Sequence, residues 1–534
     1  MEREREGESL TRRRKERESD VVYDTDEKQT LSPKTYGGVV HLQDADPVTE
    51  VETYMSYPQR HLVLLLYGTI TCLNSAIWVA YSAIISTATT TYHVPETTLS
   101  YLTVPYLLSA IFLLPLGSYI VDKEGIRTAV LLGGGVTMCG SWIRYLSGTF
   151  ASPHVRFGVL MLGQCVASAG LPVLHPIPPR LAVVWYPPHE RTVATGGRLS
   201  DSLLSFSSFS FSLFISRLRS QTHSPPYIES LTLSHLPFPA PPTLPSGISS
   251  VSQVIGIAVG YGLSIALVGG SSDCCGHLNL TLSILVTVPT LLSIFLFSPV
   301  PPSPPSPAAM TVRTHFMESV KFSLKRSGYV VLLCTLSPGL GVLNSMFAFM
   351  GVFTSGKGYD DEVSGLIGVV LVMVGLIGAV IFGAIADRTK LYVKLCRISF
   401  LLSAVTSILF VCAIQFRLPP YAVLLFAALF GFFLLSLLPL CLEFAVEVTY
   451  PAAEGVVTGT IMWIGNIYGL ASFFFTNALI VNGADGQTES SVALWFNMFG
   501  MVCCGVGGAF LHGSMRRRRE ERRMEGKGEE GEEE

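Results

Sequence analysis

Long apolar runs separated by short polar segments dominate the pattern of this chain. From His61 to Tyr92 the sequence contains no Asp, Glu, Lys or Arg. A helix of about 20 apolar residues is long enough to cross the hydrocarbon core of a membrane. Similar runs recur and predict about twelve transmembrane helices. The fifth in chain order lies near residue 250. The others lie at 61–87, 99–121, 128–148, 157–181, 278–298, 328–353, 364–386, 395–415, 421–446, 456–481 and 492–512.

Two charged loops between apolar runs repeat with matching surroundings. The first charged loop is Asp122–Arg127 and the second is Asp387–Lys390. Each is followed, two apolar runs later, by a Tyr-Pro-x-x-Glu block that ends at Glu190 or at Glu454. Counted from the acid that opens each loop, this Glu lies 68 and 67 positions further along. Such matched spacing indicates an internal repeat, and the chain is predicted to be an all-α membrane protein of two six-helix halves.

The repeat also sets the predicted domain boundaries. These are a disordered cytoplasmic tail at 1–56, an N-terminal half at 57–298, a cytoplasmic linker at 299–327, a C-terminal half at 328–513 and a charged cytoplasmic tail at 514–534. Between Glu190 and the sixth helix the first half carries about 50 residues more than the second half does at the same place. The excess, 197–247, is rich in Ser, Leu, Phe and Pro. We interpret it as a retained intron or a low-complexity insertion, with a genuine cytoplasmic insertion as the alternative.

Composition and charge agree with a membrane protein. Only 14% of the 534 residues are charged, against about 25% in soluble domains. Cations gather in the loops after even-numbered helices, which predicts that both termini are cytoplasmic. The eleven cysteines do not have the spacing of metal ligands. The sequence also lacks a nucleotide-binding loop and a nucleophile–base pair. We therefore expect no cofactor, no metal, no nucleic acid partner and no enzymatic activity.

The charged loops carry a resemblance to a known superfamily. Gly383-x-x-x-Asp387-Arg388 and Asp122-Lys123-x-Gly125-x-Arg127 resemble the loop motif of the major facilitator superfamily, although Ser118 replaces the leading Gly of the first copy. The resemblance implies a twelve-helix fold that works by alternating access, and gating by ion pairs. The alternative is a solvated turn that only fixes topology. The candidate gating residues are Asp122, Lys123, Arg127, Glu190, Asp387, Arg388, Glu447 and Glu454.

Further stretches resemble one family within that superfamily. Leu73–Ser82, Gly140–Arg144 and Glu443–Pro451 are similar to the feline leukaemia virus subgroup C receptor-related family, solute carrier family 49, and most like its less-characterised facilitator-domain member group. Members of this family are implicated in moving choline, ethanolamine, haem or pyridoxine-like solutes. The resemblance therefore implies a small-molecule substrate and residence in the lipid bilayer. The plasma membrane is favoured, with a lysosomal or other internal membrane as the alternative.

An aromatic pair in the first helix is the main candidate for substrate binding. Trp78 and Tyr81 are spaced to share one helix face, and Trp is the best aromatic partner for a quaternary ammonium group. Trp78 also matches the first-helix Trp of the family, but an ordinary packed aromatic is the alternative. Choline-transporting relatives have Gln where this chain has Asn466 and Tyr where it has Ala348. The candidate binding residues are Asn74, Trp78, Tyr81, Gln253 and Asn466.

Ionisable residues within predicted helices are the candidates for coupling. Arg144 lies in the third helix, and Glu443 and Glu447 are four residues apart in the tenth. Such residues are rare in membranes and often functional. Glu443 is a candidate to bind a cationic substrate or a coupling proton or cation, with a structural carboxylate as the alternative. The sequence thus favours a transporter of a small organic cation. A haem or vitamin transporter, or a non-transporting receptor, is the alternative.

Overall fold

The computed structural model describes residues 59–185, 246–268, 274–299, 316–389, 391–450, 452, 454–482 and 488–513. Helices make up nearly all of this part of the chain. Glu190, both predicted tails and most of segment 197–247 lie outside the described residues. Residues 246 and 247 are described, and they begin the helix of the fifth span.

The first half contains short helices between its long ones. Two 3₁₀ turns, Tyr101–Thr103 and Ser147–Thr149, extend long helices at one end of the bundle. The helices of this half are α1 Gln59–Val79, α2 Ile85–Tyr92, α3 Glu96–Ser100, α4 Val104–Lys123, α5 Gly125–Leu146, α6 Pro153–Ser168, α7 Leu171–Leu174, α8 Ile177–Trp185, α9 Ser246–Val268 and α10 Cys274–Leu296.

The second half has longer and more regular helices. These are α11 Phe316–Leu324, α12 Ser327–Ser355, α13 Asp361–Thr389, α14 Tyr392–Gln415, α15 Pro420–Thr449, α16 Glu454–Ala478 and α17 Ser491–Ala509. Between α16 and α17, strands β1 Val481–Asn482 and β2 Thr488–Glu489 form a small antiparallel ribbon.

Eleven stretches of the described chain are helical, long and apolar enough to cross a membrane, and Val251–Leu267 of α9 is a shorter apolar helix. Helices suit this environment because each backbone N–H and C=O is paired within the segment. The predicted all-α architecture is therefore confirmed. Two spans differ from expectation. The first helix ends at Val79 rather than near 87, and the fourth span is divided into α6, α7 and α8.

The helices of the two halves pair in the same way. In the first half α1 packs on α9 and α5 packs on α10, while in the second half α12 packs on α16 and α14 packs on α17. Between the halves, α4 packs on α16 and α9 packs on α13. This matched pairing is the structural counterpart of the repeated charged loops. We call the end of the bundle that holds Lys123 and Thr389 the charged-loop end, and the end that holds Tyr92 and Asp361 the far end.

Candidate functional site

An aromatic cluster lies where the two halves meet. Trp78, in the last turn of α1, has its ring centroid 6.4 Å from that of Tyr106 on α4 and 6.4 Å from that of Phe347 on α12. Trp78 is half-buried, whereas the other two rings are buried. Its indole Nε1 is enclosed without a hydrogen-bond partner among the described residues. Aromatic rings from both halves thus pack around Trp78 at the interface, and aromatic rings are residues that can hold an organic cation.

Tyr81 does not join this aromatic cluster. Because α1 ends at Val79, Tyr81 lies beyond the helix, and its ring contacts Tyr92 and not the ring partners of Trp78. Its ring centroid is 5.2 Å from the Arg144 guanidinium carbon. Its hydroxyl lies 3.0 Å from the Tyr92 hydroxyl and accepts a 2.9 Å hydrogen bond from Asn279 Nδ2. The prediction that Trp78 and Tyr81 share one helix face is therefore corrected, since each ring belongs to a separate cluster.

The polar candidates near the aromatic cluster have different surroundings. Asn74 is fully buried, and its Nδ2 donates to Thr137 Oγ1 at 2.9 Å and to Ala167 O at 3.1 Å. It thereby ties α1 to α5 and α6. Asn466 is half-buried, and its Nδ2 donates to Met462 O of its own helix at 2.9 Å. The Asn466 amide is therefore held against its own helix, α16.

Gln253 has a partner that sequence reasoning missed. Its side chain lies beside His175, which lies between α7 and α8 where the fourth span is broken. Both residues are half-buried. Pro172, Pro176 and Pro178 surround this break, and proline removes a backbone donor and interrupts a helix. The proline-rich sequence was the available signal that His175 would lie outside a regular helix.

The two halves are fastened together at the far end by Asp361. This residue begins α13 in the second half, and its carboxylate accepts hydrogen bonds from the first half. Ser86 N donates to Oδ1 at 3.2 Å, and Thr87 N and Thr87 Oγ1 donate to Oδ2 at 2.9 Å and 2.7 Å. Asp361 thus caps the first turn of α2, where backbone N–H groups lack helical partners.

Two further hydrogen bonds join the halves at the same end. Ser355 Oγ donates to Glu96 Oε2 at 3.0 Å. Asn477 Nδ2 donates to the Tyr101 hydroxyl at 3.1 Å. We call these contacts and those of Asp361 the far-end gate. This gate could not be predicted from the sequence, because an acid or an amide at the end of a helix usually faces solvent.

The first charged loop contacts other helices of the first half. Asp122 Oδ1 forms an ion pair with Arg180 Nη1 on α8 at 3.3 Å. Lys123 Nζ lies 5.4 Å from the centroid of the Tyr119 ring. Arg127 Nη2 donates to Ile294 O of α10 at 2.8 Å. The loop therefore links α4 to α8 and α5 to α10. Arg180 was absent from the predicted set.

The second charged loop and the tenth span are described in part. Arg388 is exposed in the last turn of α13. Glu447 on α15 is only 3% exposed, and Glu443 one turn earlier is half-buried. The side chains of Asp387 and Glu454 lie outside the described part of the chain, so their gating roles stay predictions. In the described residues, no group of three His, Cys, Asp or Glu side chains is placed to hold a metal ion.

Comparison with known proteins now assigns the fold to a family. The family model described as Major Facilitator Superfamily matches residues 66–218 and 243–473. The chain belongs to the major facilitator superfamily. It is therefore an integral multi-pass membrane protein of a transporter superfamily, as the charged loops predicted. The D-xylose–proton symporter, a solved structure, aligns with a TM-score of 0.59 over 85% of this chain and 97% of its own, at 13% identity, which supports the fold alone.

Two curated relatives refine this assignment. Solute carrier family 49 member A3 of Xenopus tropicalis is 24% identical over 78% of this chain and 77% of its own. Choline/ethanolamine transporter flvcr2a of Danio rerio is 24% identical over 79% of this chain and 81% of its own. The resemblance to solute carrier family 49 inferred from short stretches is thus confirmed over most of the chain.

A glycine in this superfamily member allows the halves to close at the far end. A Cβ atom on Gly351 of α12 would lie 2.5 Å from Ser82 O and 2.8 Å from Ile85 Cγ2. We expect Gly351→Ala to lower the transport rate about tenfold, because overpacking of about 1–3 kcal/mol opposes closure. The matched control is Gly459→Ala, since a Cβ there has no heavy atom within 4 Å. Equal transport by the two variants would contradict this prediction.

Proposed function

We propose that this chain moves a small organic cation of the choline or ethanolamine type across the membrane by alternating access. The observation that carries this proposal is the aromatic cluster of Trp78, Tyr106 and Phe347 at the interface of the halves. A quaternary or primary ammonium group is attracted to such ring faces. The Danio rerio relative, which carries the name choline/ethanolamine transporter, supports the same substrate class.

The far-end gate supports the alternating-access mechanism. In facilitator folds one half rocks on the other around a site near the middle of the membrane. Asp361, Ser355 and Asn477 from the second half hold the first half at the far end. Opening must therefore break these contacts while the charged-loop end closes. We propose that Asp122, Lys123, Arg127, Asp387 and Arg388 take part in that closure, together with Glu190, Glu447 and Glu454.

The proposal also covers the orientation in the membrane, the membrane of residence, the coupling residue and the polar groups of the site. The charged-loop end faces the cytoplasm, the halves span 57–298 and 328–513, and the plasma membrane is the site of residence. Glu443 is the candidate for a coupling proton or cation, and the protein catalyses no covalent chemistry. Asn74, Gln253 and Asn466 supply polar groups around the aromatic cluster. A haem or pyridoxine-like substrate and a non-transporting receptor are the competing functions.

Uptake of radiolabelled choline and ethanolamine tests the proposed substrate class. We expect cells that express the full chain to show saturable uptake above vector-only cells, and unlabelled choline to compete with it. The amount of protein at the cell surface is measured in parallel by biotinylation. Uptake equal to that of vector-only cells, with the protein at the surface, would exclude both substrates. Labelled haem and pyridoxine would then separate the competing transport functions from the receptor function.

A further inference from the structure

Arg144 is a buried cation with unused hydrogen-bond donors. It lies in the last turn of α5 and is 1% exposed. Its Nη1 donates to Ile77 O at 3.3 Å. In the described part of the chain, its Nε and Nη2 have no hydrogen-bond partner. Because arginine stays charged in proteins, this leaves a positive charge enclosed in the first half.

The described helices that contact Arg144 contain no Asp or Glu that could neutralise this charge. The chain contains no Asp or Glu from Gly125 to His189, which covers α5, α6, α7 and α8. The stretch from His61 to Tyr92, which supplies Ile77 and Tyr81, has none either. The Tyr81 ring, 5.2 Å from the guanidinium carbon, offers only the partial charge of an aromatic face. A buried charge that has no opposite charge beside it strongly destabilises the folded protein.

The donors without partners form the edge that arginine uses for anions. Nε–H and the adjacent Nη2–H point in parallel, and this fork matches two acceptors of one anion or a single small ion between them. Both nitrogens of the fork are buried, and two amide side chains pack on the backbone near it. Gln164 Nε2 donates to the same Ile77 O at 3.4 Å, and Asn279 Nδ2 donates to Arg144 O at 3.3 Å. Because Arg144 is only 1% exposed, a small ion fits this position better than a bulky organic acid.

We infer that the Nε–Nη2 edge of Arg144 binds a small inorganic anion, for which chloride is the probe. The bound anion neutralises the cation inside the first half. It also stabilises the far-end gate, because Arg144 contacts Tyr81 and Tyr81 is hydrogen-bonded to Tyr92 at the end of α2. The same helix begins with Ser86 and Thr87, which donate to Asp361. Arg144 is not one of the three rings of the aromatic cluster, although it donates to Ile77 O beside Trp78. The inference does not depend on which solute is transported.

Thermal unfolding of the purified full chain in detergent tests the inference without a transport assay. We compare sodium chloride with sodium gluconate at equal ionic strength. Ligands that bind the native state raise its stability by mass action, so we expect chloride to raise the Tm saturably by about 2–4 °C. Arg144→Gln should abolish the difference between the salts. The matched control is Arg156→Gln, which removes a half-buried arginine near the same end and should retain it.

A second variant covers the case in which Arg144→Gln does not fold. Gln164→Glu has nearly the same shape and introduces a carboxylate on the side chain that shares the Ile77 O acceptor with Arg144. It should therefore remove the dependence on chloride by supplying an internal counter-ion. Equal Tm values in chloride and gluconate for the unchanged protein would overturn the inference. So would a chloride effect of unchanged size in Arg144→Gln or in Gln164→Glu. Uptake is measured separately, so failure of the proposed function leaves this test intact.

Discussion

Replacing Asp361 with Asn should release the far-end gate. The carboxylate accepts three hydrogen bonds from the first turn of α2, two of them at Oδ2. An amide has one acceptor oxygen, so its NH₂ group must face at least one N–H donor, and the negative charge is lost. A hydrogen bond to a charged group contributes about 1.5–3 kcal/mol. We expect the ratio of closed to open far end to fall about 30-fold, which corresponds to about 2 kcal/mol.

Cysteine labelling reports the opening directly. Ser82 is 3% exposed and lies at the interface that Gly351 approaches. A Ser82→Cys probe should react with a membrane-impermeant maleimide about tenfold faster or more in the Asp361→Asn background. The protein without the probe gives the background from its native cysteines. Asp360→Asn is the matched control, since this neighbouring acid is exposed. If both Asn variants label at the rate of the parent, Asp361 does not hold the gate.

The sequence was sufficient to predict the fold because a membrane restricts the possible structures. Spans of about 20 apolar residues must be helical. The two charged loops indicated that the six-helix half is repeated. The break after Val79 could not be predicted in the same way. The run from His61 to Tyr92 is uncharged throughout, and no Gly or Pro lies between Val79 and Ile85 to mark the end of a helix.

The candidate site was predictable only in part, because its contacts come from distant segments. Trp78 could be nominated from its residue type, but its ring partners Tyr106 and Phe347 belong to α4 and α12. Arg144 was recognised as a charge in a membrane, whereas its unused donors depend on side-chain geometry. Asp361 was overlooked because its helix-capping role requires two halves to meet. Periodicity carries no information on such long-range pairs.

Trp78→Ala should raise the KM for choline about tenfold while the protein still reaches the cell surface. A cation over an indole ring gains about 0.5–2 kcal/mol, and about 1.4 kcal/mol corresponds to a tenfold change in affinity. Trp78→Phe should have an intermediate KM, because phenylalanine keeps a weaker aromatic face. Tyr81→Phe should leave KM nearly unchanged, since its ring lies against Arg144 and outside the aromatic cluster.

The contrast between these variants separates an aromatic cation site from general damage to the helix. Trp142→Ala is the matched tryptophan control, because Trp142 is 36% exposed, donates to Thr287 on α10 and is not one of the rings of the aromatic cluster. A KM that rises equally in Trp78→Ala and Trp142→Ala would indicate a loss of packing. A KM that rises in Tyr81→Phe as much as in Trp78→Ala would place the substrate beside Tyr81 and outside the aromatic cluster. Only a selective effect of Trp78 agrees with binding among Trp78, Tyr106 and Phe347.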